Sequence, residues 1–174
     1  VVPVPDSGNA AALGYAQQKK ISFDLGLIRN HYVGRTFIEP SQKIRSLGVK
    51  LKLNANQSVI KNKKIILVDD SLVRGTTSSK IVKMLYDAGA KEVHVRIACP
   101  EIKFPDFYGV DMPTKKELLA ANKTVEEIKD IISAKSLKFL SIDGLYRAMG
   151  FEKRNENYPQ LTDHYFTGDY LSLI

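Results

Sequence analysis

Lys63-Lys64-Ile65-Ile66-Leu67-Val68-Asp69-Asp70-Ser71-Leu72-Val73-Arg74-Gly75-Thr76-Thr77-Ser78-Ser79 is the stretch on which the reading of this chain turns. Residues 65–68 are four apolar residues in a row, as in a strand buried on both faces of a parallel sheet. Two acids follow at once, then a short spacer ending in glycine and hydroxyl residues. The spacing predicts a helix from about Thr77 to Ala88, with Ile81, Val82, Leu85 and Ala88 on one face. Gly89 stands where a helix C-terminal glycine belongs. Residues 92–98 read as the next strand, and a strand–helix–strand unit of this kind favours parallel pairing.

Upstream, residues 1–4 predict a short buried strand and Pro5-Asp6-Ser7-Gly8 a turn. Residues 9–19 predict a helix with Ala11, Ala12, Tyr15 and Ala16 at helical spacing. Residues 23–28 read as a second strand, completing another strand–helix–strand unit. From 29 to 53 no period is clean, and a connection of that length is functional or disordered; residues 50–53 recover as a strand. Downstream, Thr114…Glu117 and Thr124…Glu127 both fit the capping-box pattern ahead of short helices. Residues 137–142 read as a further strand, with Ser141 capping a helix that reaches Met149. Beyond Gly150 the polar, irregular sequence predicts a loosely packed end. The expected architecture is α/β: an open, mostly parallel sheet flanked by helices, with a helical C-terminal portion. The expected division is a domain over 1–150 and a tail over 151–174.

The bulk numbers suit a globular domain. Of 174 residues, 44% are hydrophobic and 26% charged, and one domain with a real core fits that length. No apolar run approaches the roughly 20 residues of a membrane helix. A single cysteine, Cys99, excludes an intrachain disulfide and cysteine-only metal or iron–sulfur sites. It reads as a small buried hydrophobe, and the setting as cytoplasmic. The net charge of +7 is scattered, with no aromatic-interleaved basic block or nucleic-acid motif, so an anionic small substrate suits it better than nucleic acid. His31, His94 and His164 have no metal-ligand spacing and read as surface or packing residues. Val1 opens directly into an apolar run, which reads as part of a longer chain.

Asp69 and Asp70 fall at the carboxyl end of a buried strand, the edge where open α/β sheets bind ligands. Adjacent carboxylates there are costly unless a cation or a hydroxyl-rich ligand satisfies them. Ribose hydroxyls with Mg²⁺ nearby would do so; two solvated turn acids are the plainer alternative. Arg74, Gly75, Thr76, Thr77 and Ser78 lead into a helix N-terminus, where backbone N–H groups favour anions. One hydroxyl would suffice as a cap; three after a glycine exceed that need. The joint pattern offers carboxylates for a sugar and a cradle for its phosphate. It is neither a Walker loop nor the G-x-G-x-x-G fingerprint.

Ile65–Ser79, IILVDDSLVRGTTSS, resembles the motif of type I phosphoribosyltransferases that binds 5-phosphoribosyl-1-pyrophosphate (PRPP). Val4-Pro5-Asp6-Ser7-Gly8, the run Gly26–Ile38 (GLIRNHYVGRTFI) and Phe107-Tyr108-Gly109-Val110-Asp111 narrow it to the amidophosphoribosyltransferase family. The likeness covers nearly the whole chain and weakens after about Gly150. It implies that Asp69 and Asp70 contact the ribose hydroxyls and help organise Mg²⁺. Ser7 would lie near metal and pyrophosphate, and Ser71, Arg74, Gly75, Thr76, Thr77 and Ser78 would hold PRPP and its 5-phosphate. It implies a closing loop over about 29–52 with Arg29, Tyr32 and Arg35 as contacts.

The implied reaction joins ammonia to PRPP, giving 5-phosphoribosylamine and pyrophosphate at the start of purine synthesis. Ammonia would come from a glutaminase domain that these residues do not include. Purine nucleotides as inhibitors and a homo-oligomeric full-length protein follow from the resemblance alone. Asp106 stands where cluster-bearing members carry a cysteine, so no iron–sulfur cluster is expected. A purine-salvage phosphoribosyltransferase and a non-catalytic PRPP-binding regulator are the competing readings.

Overall fold

The computed structural model describes residues 1–30, 53–108 and 114–170. Four parallel strands form the sheet in the order β1 (Val2–Pro3), β4 (Lys64–Asp69), β5 (Glu92–Ile97), β6 (Ser136–Phe139). Among the described residues two further strands, β2 (Leu27–Arg29) and β3 (Leu53–Ala55), make a separate antiparallel pair. The fold is therefore α/β with a mostly parallel sheet, as the sequence pattern implies.

Alternation along β4 divides the two cores. Ile65 and Leu67 join Val93, Val95, Ile97 and Leu137 beneath Ile81, Val82 and Leu85 of the helix α3 (Thr76–Asp87). The helix α5 (Val125–Ile131) adds Ile128 to the same layer. On the opposite face, Val68 and Ile66 pack against Ala12 and Ala16 of α1 (Asn9–Lys19). The helical face read from Ala11, Ala12, Tyr15 and Ala16 is the one that packs there. α3 ends with the Gly89 and Ala90 N–H groups donating to the Tyr86 and Leu85 carbonyls, which satisfies its last acceptors.

Residues 23–28 do not form the expected parallel strand. Phe23 packs with the α1 core and Leu27 with the other. The run thus rounds the sheet edge, which a straight strand cannot do. The Asp24 backbone N–H donates to the Val1 carbonyl at 2.9 Å, and only from Leu27 does the chain pair, antiparallel, with β3. The short helix α2 (Gln57–Ile60), capped by Asn56, follows β3 and leads to β4.

The two expected capping boxes part ways. At Thr124 both bonds form, with the Glu127 carboxylate accepting from the Thr124 N–H at 2.8 Å. At Thr114 no side-chain cap forms; the chain makes a single 3-10 turn, Lys115–Glu117, before α4 (Leu119–Asn122). Ser141 caps α6 (Ile142–Ala148) by accepting from the Gly144 N–H at 3.0 Å.

The segment after Gly150 is not loosely packed. Arg154 is buried, and its Nε donates to Asp163 Oδ2 at 2.7 Å, where Tyr146 Oη also donates at 2.8 Å. Asp163 precedes α7 (His164–Thr167), in which His164 is buried with Nε2 2.8 Å from Asp106 Oδ1. Arg154 and Tyr146 thus both bond Asp163 in the interior. No helix among the described residues is long and apolar enough to cross a membrane.

Candidate phosphoribosyl site

The carboxyl ends of β1 and β4 lie side by side, and the turn after β1 is drawn tightly onto β4. Val4 N–H donates to the Val68 carbonyl at 2.8 Å, and Gly8 N–H to Val4 O at 2.9 Å. A Cβ on Gly8 would stand 2.6 Å from Val68 O and 2.7 Å from Val4 O, so only glycine fits this backbone crossing. The turn bearing Asp6 and Ser7, both exposed, is thereby set beside Asp69 and Asp70.

The two acids occupy different surroundings. Asp69, the last residue of β4, is 8% exposed, and its Oδ1 accepts the Asp70 N–H at 2.9 Å. Asp70 is exposed, and its Oδ1 accepts the Ser71 N–H at 2.7 Å and the Ser71 hydroxyl at 3.2 Å. Burial, reinforced by the charge of Asp70, pushes the Asp69 carboxyl up to about 8. Among the described residues no cation pairs with either acid. The same edge carries Cys99, whose thiol burial and the Asp70 charge push up to about 12. That thiol stays protonated and is no nucleophile, in keeping with its reading as a packing residue.

Past the acids, Gly75 takes a left-handed conformation (φ 73°) and opens α3 with no side chain capping it. The first intrahelical bond is Ser79 N–H to Gly75 O at 2.9 Å, which leaves the N–H groups of Thr76, Thr77 and Ser78 ahead of the helical ladder. Thr76 and Thr77 are exposed and Ser78 is buried. The result is an open helix start whose dipole and amides suit a phosphate.

The outer wall of this loop comes from a segment that carried no site signal in the sequence. Glu117 accepts from Arg74 Nε at 3.2 Å, and Leu119 N–H donates to the Val73 carbonyl at 2.9 Å. Glu117 thus turns to the loop's arginine rather than back to Thr114, because a charged donor is the stronger partner. Its partner lies 43 residues away, so no local spacing could have revealed it.

A Cβ on Gly75 would meet Leu119 Cδ2 at 2.6 Å and would force an unfavourable φ. Gly75→Ala is expected to cost about 1–2 kcal/mol in unfolding free energy, measured by urea denaturation. A change under about 0.3 kcal/mol would show that the loop relaxes without strain.

Arg29 ends β2 and forms an ion pair with Asp6, which ties the antiparallel pair to the turn. Tyr32 and Arg35 lie outside the described residues. Among the described residues no group of three or more His, Cys, Asp and Glu gathers around one point. Two carboxylates and the Ser7 hydroxyl suit a magnesium ion that arrives with phosphate oxygens, since Mg²⁺ is commonly held by one or two carboxylates plus substrate.

The parallel sheet, with its acid pair opening onto a glycine-started helix, is that of a type I phosphoribosyltransferase domain. No family model matches the chain. Curated relatives do. Over 171 residues the chain is 63% identical to the amidophosphoribosyltransferase of Rhizobium etli, covering 98% of this chain and 34% of that protein. Over 170 residues it is 55% identical to the chloroplastic amidophosphoribosyltransferase 2 of Arabidopsis thaliana, covering 98% and 29%. A solved structure of glutamine PRPP amidotransferase from B. subtilis, complexed with ADP and GMP, superposes with a TM-score of 0.82 at 50% identity. That match covers 97% of this chain and 37% of the other. The chain is the counterpart of the phosphoribosyltransferase domain of amidophosphoribosyltransferases. It spans about a third of the length of the relatives it matches.

Proposed function

We propose that this domain carries out the phosphoribosyl transfer of amidophosphoribosyltransferase, the PRPP amidotransferase of purine biosynthesis. Ammonia released from glutamine elsewhere in the protein attacks C1 of PRPP. The new C1–N bond forms as the C1–O bond to pyrophosphate breaks, and the nitrogen sheds a proton to give 5-phosphoribosylamine. The observation that carries this reading is the placement of Asp69 and Asp70 at the sheet edge, beside a turn on one side and an uncapped helix start on the other.

Each part of that edge has a task. The amides of Thr76, Thr77 and Ser78, with the Thr76 and Thr77 hydroxyls, hold the 5-phosphate, and the Gly75 turn lets the backbone approach it. Ser71 and Arg74 frame the same loop. Asp69 and Asp70 orient the ribose hydroxyls, and their charge favours the positive ring that develops as the leaving group departs. Burial and the Asp70 charge push the Asp69 carboxyl up to about 8 in the free protein, which favours its protonated form, and a cation bound at this edge would favour its ionised form. Ser7 and Arg29 face the pyrophosphate, with Tyr32 and Arg35 as further contacts. Asp69, Asp70 and Ser7 would hold a bound Mg²⁺, which would supply positive charge to the diphosphate.

Purine nucleotides are the expected regulators, given ADP and GMP in the B. subtilis relative. PRPP-dependent glutaminase activity of the full-length protein tests the assignment, with Asp69→Asn plus Asp70→Asn as the diagnostic variant. Unchanged turnover in that variant would remove these acids from the site.

A further inference from the structure

We infer that Asp6 is a positioning residue: its carboxylate holds the Arg29 guanidinium against the turn beside the acid pair, aimed for the diphosphate of PRPP. The inference rests on the proposed phosphoribosyl transfer and adds to it a residue with no role in that scheme.

Asp6 immediately precedes Ser7 in the turn that Gly8 clamps to β4. Arg29 is the last residue of β2, fixed opposite Leu53 by the strand register. Arg29 Nη1 donates to Asp6 Oδ2 across 23 residues of chain. The two side chains are 33% and 50% exposed, so the pair adds little to stability. What it does is geometric: a long, flexible cation is pinned over one turn. The carboxylate engages one nitrogen of the guanidinium fork, and the fork's remaining N–H donors point to no other acceptor among the described residues. A guanidinium gripped at one nitrogen can still take phosphate oxygens with the others.

Charge gives the same answer. Asp6 and Asp70 lie with the buried Asp69 along one edge where a polyanion is to dock, and an uncompensated carboxylate there would repel it. Asp6 alone of the three has a cation partner among the described residues, so its charge is cancelled where the diphosphate arrives. Ordering Arg29 before the ligand comes also spares the cost of immobilising a rotamer-rich side chain on binding.

A double-mutant cycle in the full-length protein tests this, reading KM and kcat for PRPP alongside calorimetric binding of inorganic pyrophosphate with Mg²⁺. Asp6→Asn is expected to raise KM for PRPP about fivefold, with a smaller change in kcat and an unchanged melting temperature. In an Arg29→Gln background the same substitution is expected to change KM less than about 1.5-fold, and Asp6→Glu to recover most of the loss. Equal effects in both backgrounds would overturn the inference. So would a fall in KM, which would mean that Asp6 competes with the diphosphate for Arg29. Failure of the unmodified protein to bind PRPP or to turn it over would instead sink the proposed transfer, and the inference with it.

Discussion

Asp69→Asn is expected to make the ligand-free protein more stable and to disable it as an enzyme. Burial and the neighbouring Asp70 raise the folded-state carboxyl to about 8, whereas in the unfolded chain it returns to the ordinary aspartate range. Between these values the folded state holds a proton that the unfolded state has lost. Stability contributed by this group is therefore complete below about pH 4 and drains away as pH rises towards 8, by about 1.4 kcal/mol per pH unit. Asparagine keeps an oxygen to accept the Asp70 N–H and never has to ionise. The gap between variant and parent should be small at pH 4.5 and reach a few kcal/mol at pH 8, as read by thermal unfolding at both values. A gap that does not change with pH would show that burial does not burden this carboxyl. Turnover, in contrast, should fall roughly a hundredfold or more, because the proposed transfer places that charge beside the reacting ring. Under the proposed transfer, the site would carry a destabilised group for the sake of its chemistry, a trade between stability and activity.

The second large effect lies far from the acids. Asp163 is 2% exposed and receives Arg154, Tyr146 and Thr167. Asp163→Ala would leave a buried guanidinium with Asp169 and Glu156, both of them largely exposed. Removing one partner of a buried pair costs about 3–5 kcal/mol, and the lower end applies here because two exposed acids remain. A drop of about 6–12 °C in melting temperature is the expected reading for a chain of this size. An exposed pair such as Lys83–Asp87 provides the contrast, with an expected change within about 0.5 kcal/mol for Asp87→Ala. Burial works against the Asp163 charge, but the hydrogen bonds from Arg154 and Tyr146 outweigh it and hold the carboxyl below the ordinary range. The stability it contributes is present above about pH 4 and fades as pH falls through that depressed value. A melting-temperature loss under about 2 °C would mean that the tail is held without this carboxylate.

What could be read from sequence follows the range of the interactions involved. α1 and α3 were visible because their apolar positions recur locally, and Ala12, Ala16, Ile81, Val82 and Leu85 are buried where the period puts them. β4 was visible because Ile65–Val68 is apolar on both sides. The acid pair and the Gly75 turn were visible as a short contiguous run. The misreadings are all long-range. Phe23, Leu25 and Leu27 alternate as in a half-buried strand, yet Phe23 and Leu27 serve two different cores, and no local pattern shows that. Glu117 fits a capping box on paper, but Arg74, far along the chain, takes its carboxylate. Arg154 and Asp163 look like solvated charges until Tyr146 and α7 close over them. Asp6 looked like a turn residue because Arg29, its partner, belongs to another element.

One hydrogen atom in place of a methyl group sets the width of this catalytic edge. With Gly8 bare, the loop after β1 settles onto the carbonyls of Val4 and Val68, and the Asp6–Ser7 turn and the acid pair stand at a fixed span. Any larger residue would act as a wedge between the turn and the strand. The spacing of that edge is thus set by a side chain that is not there.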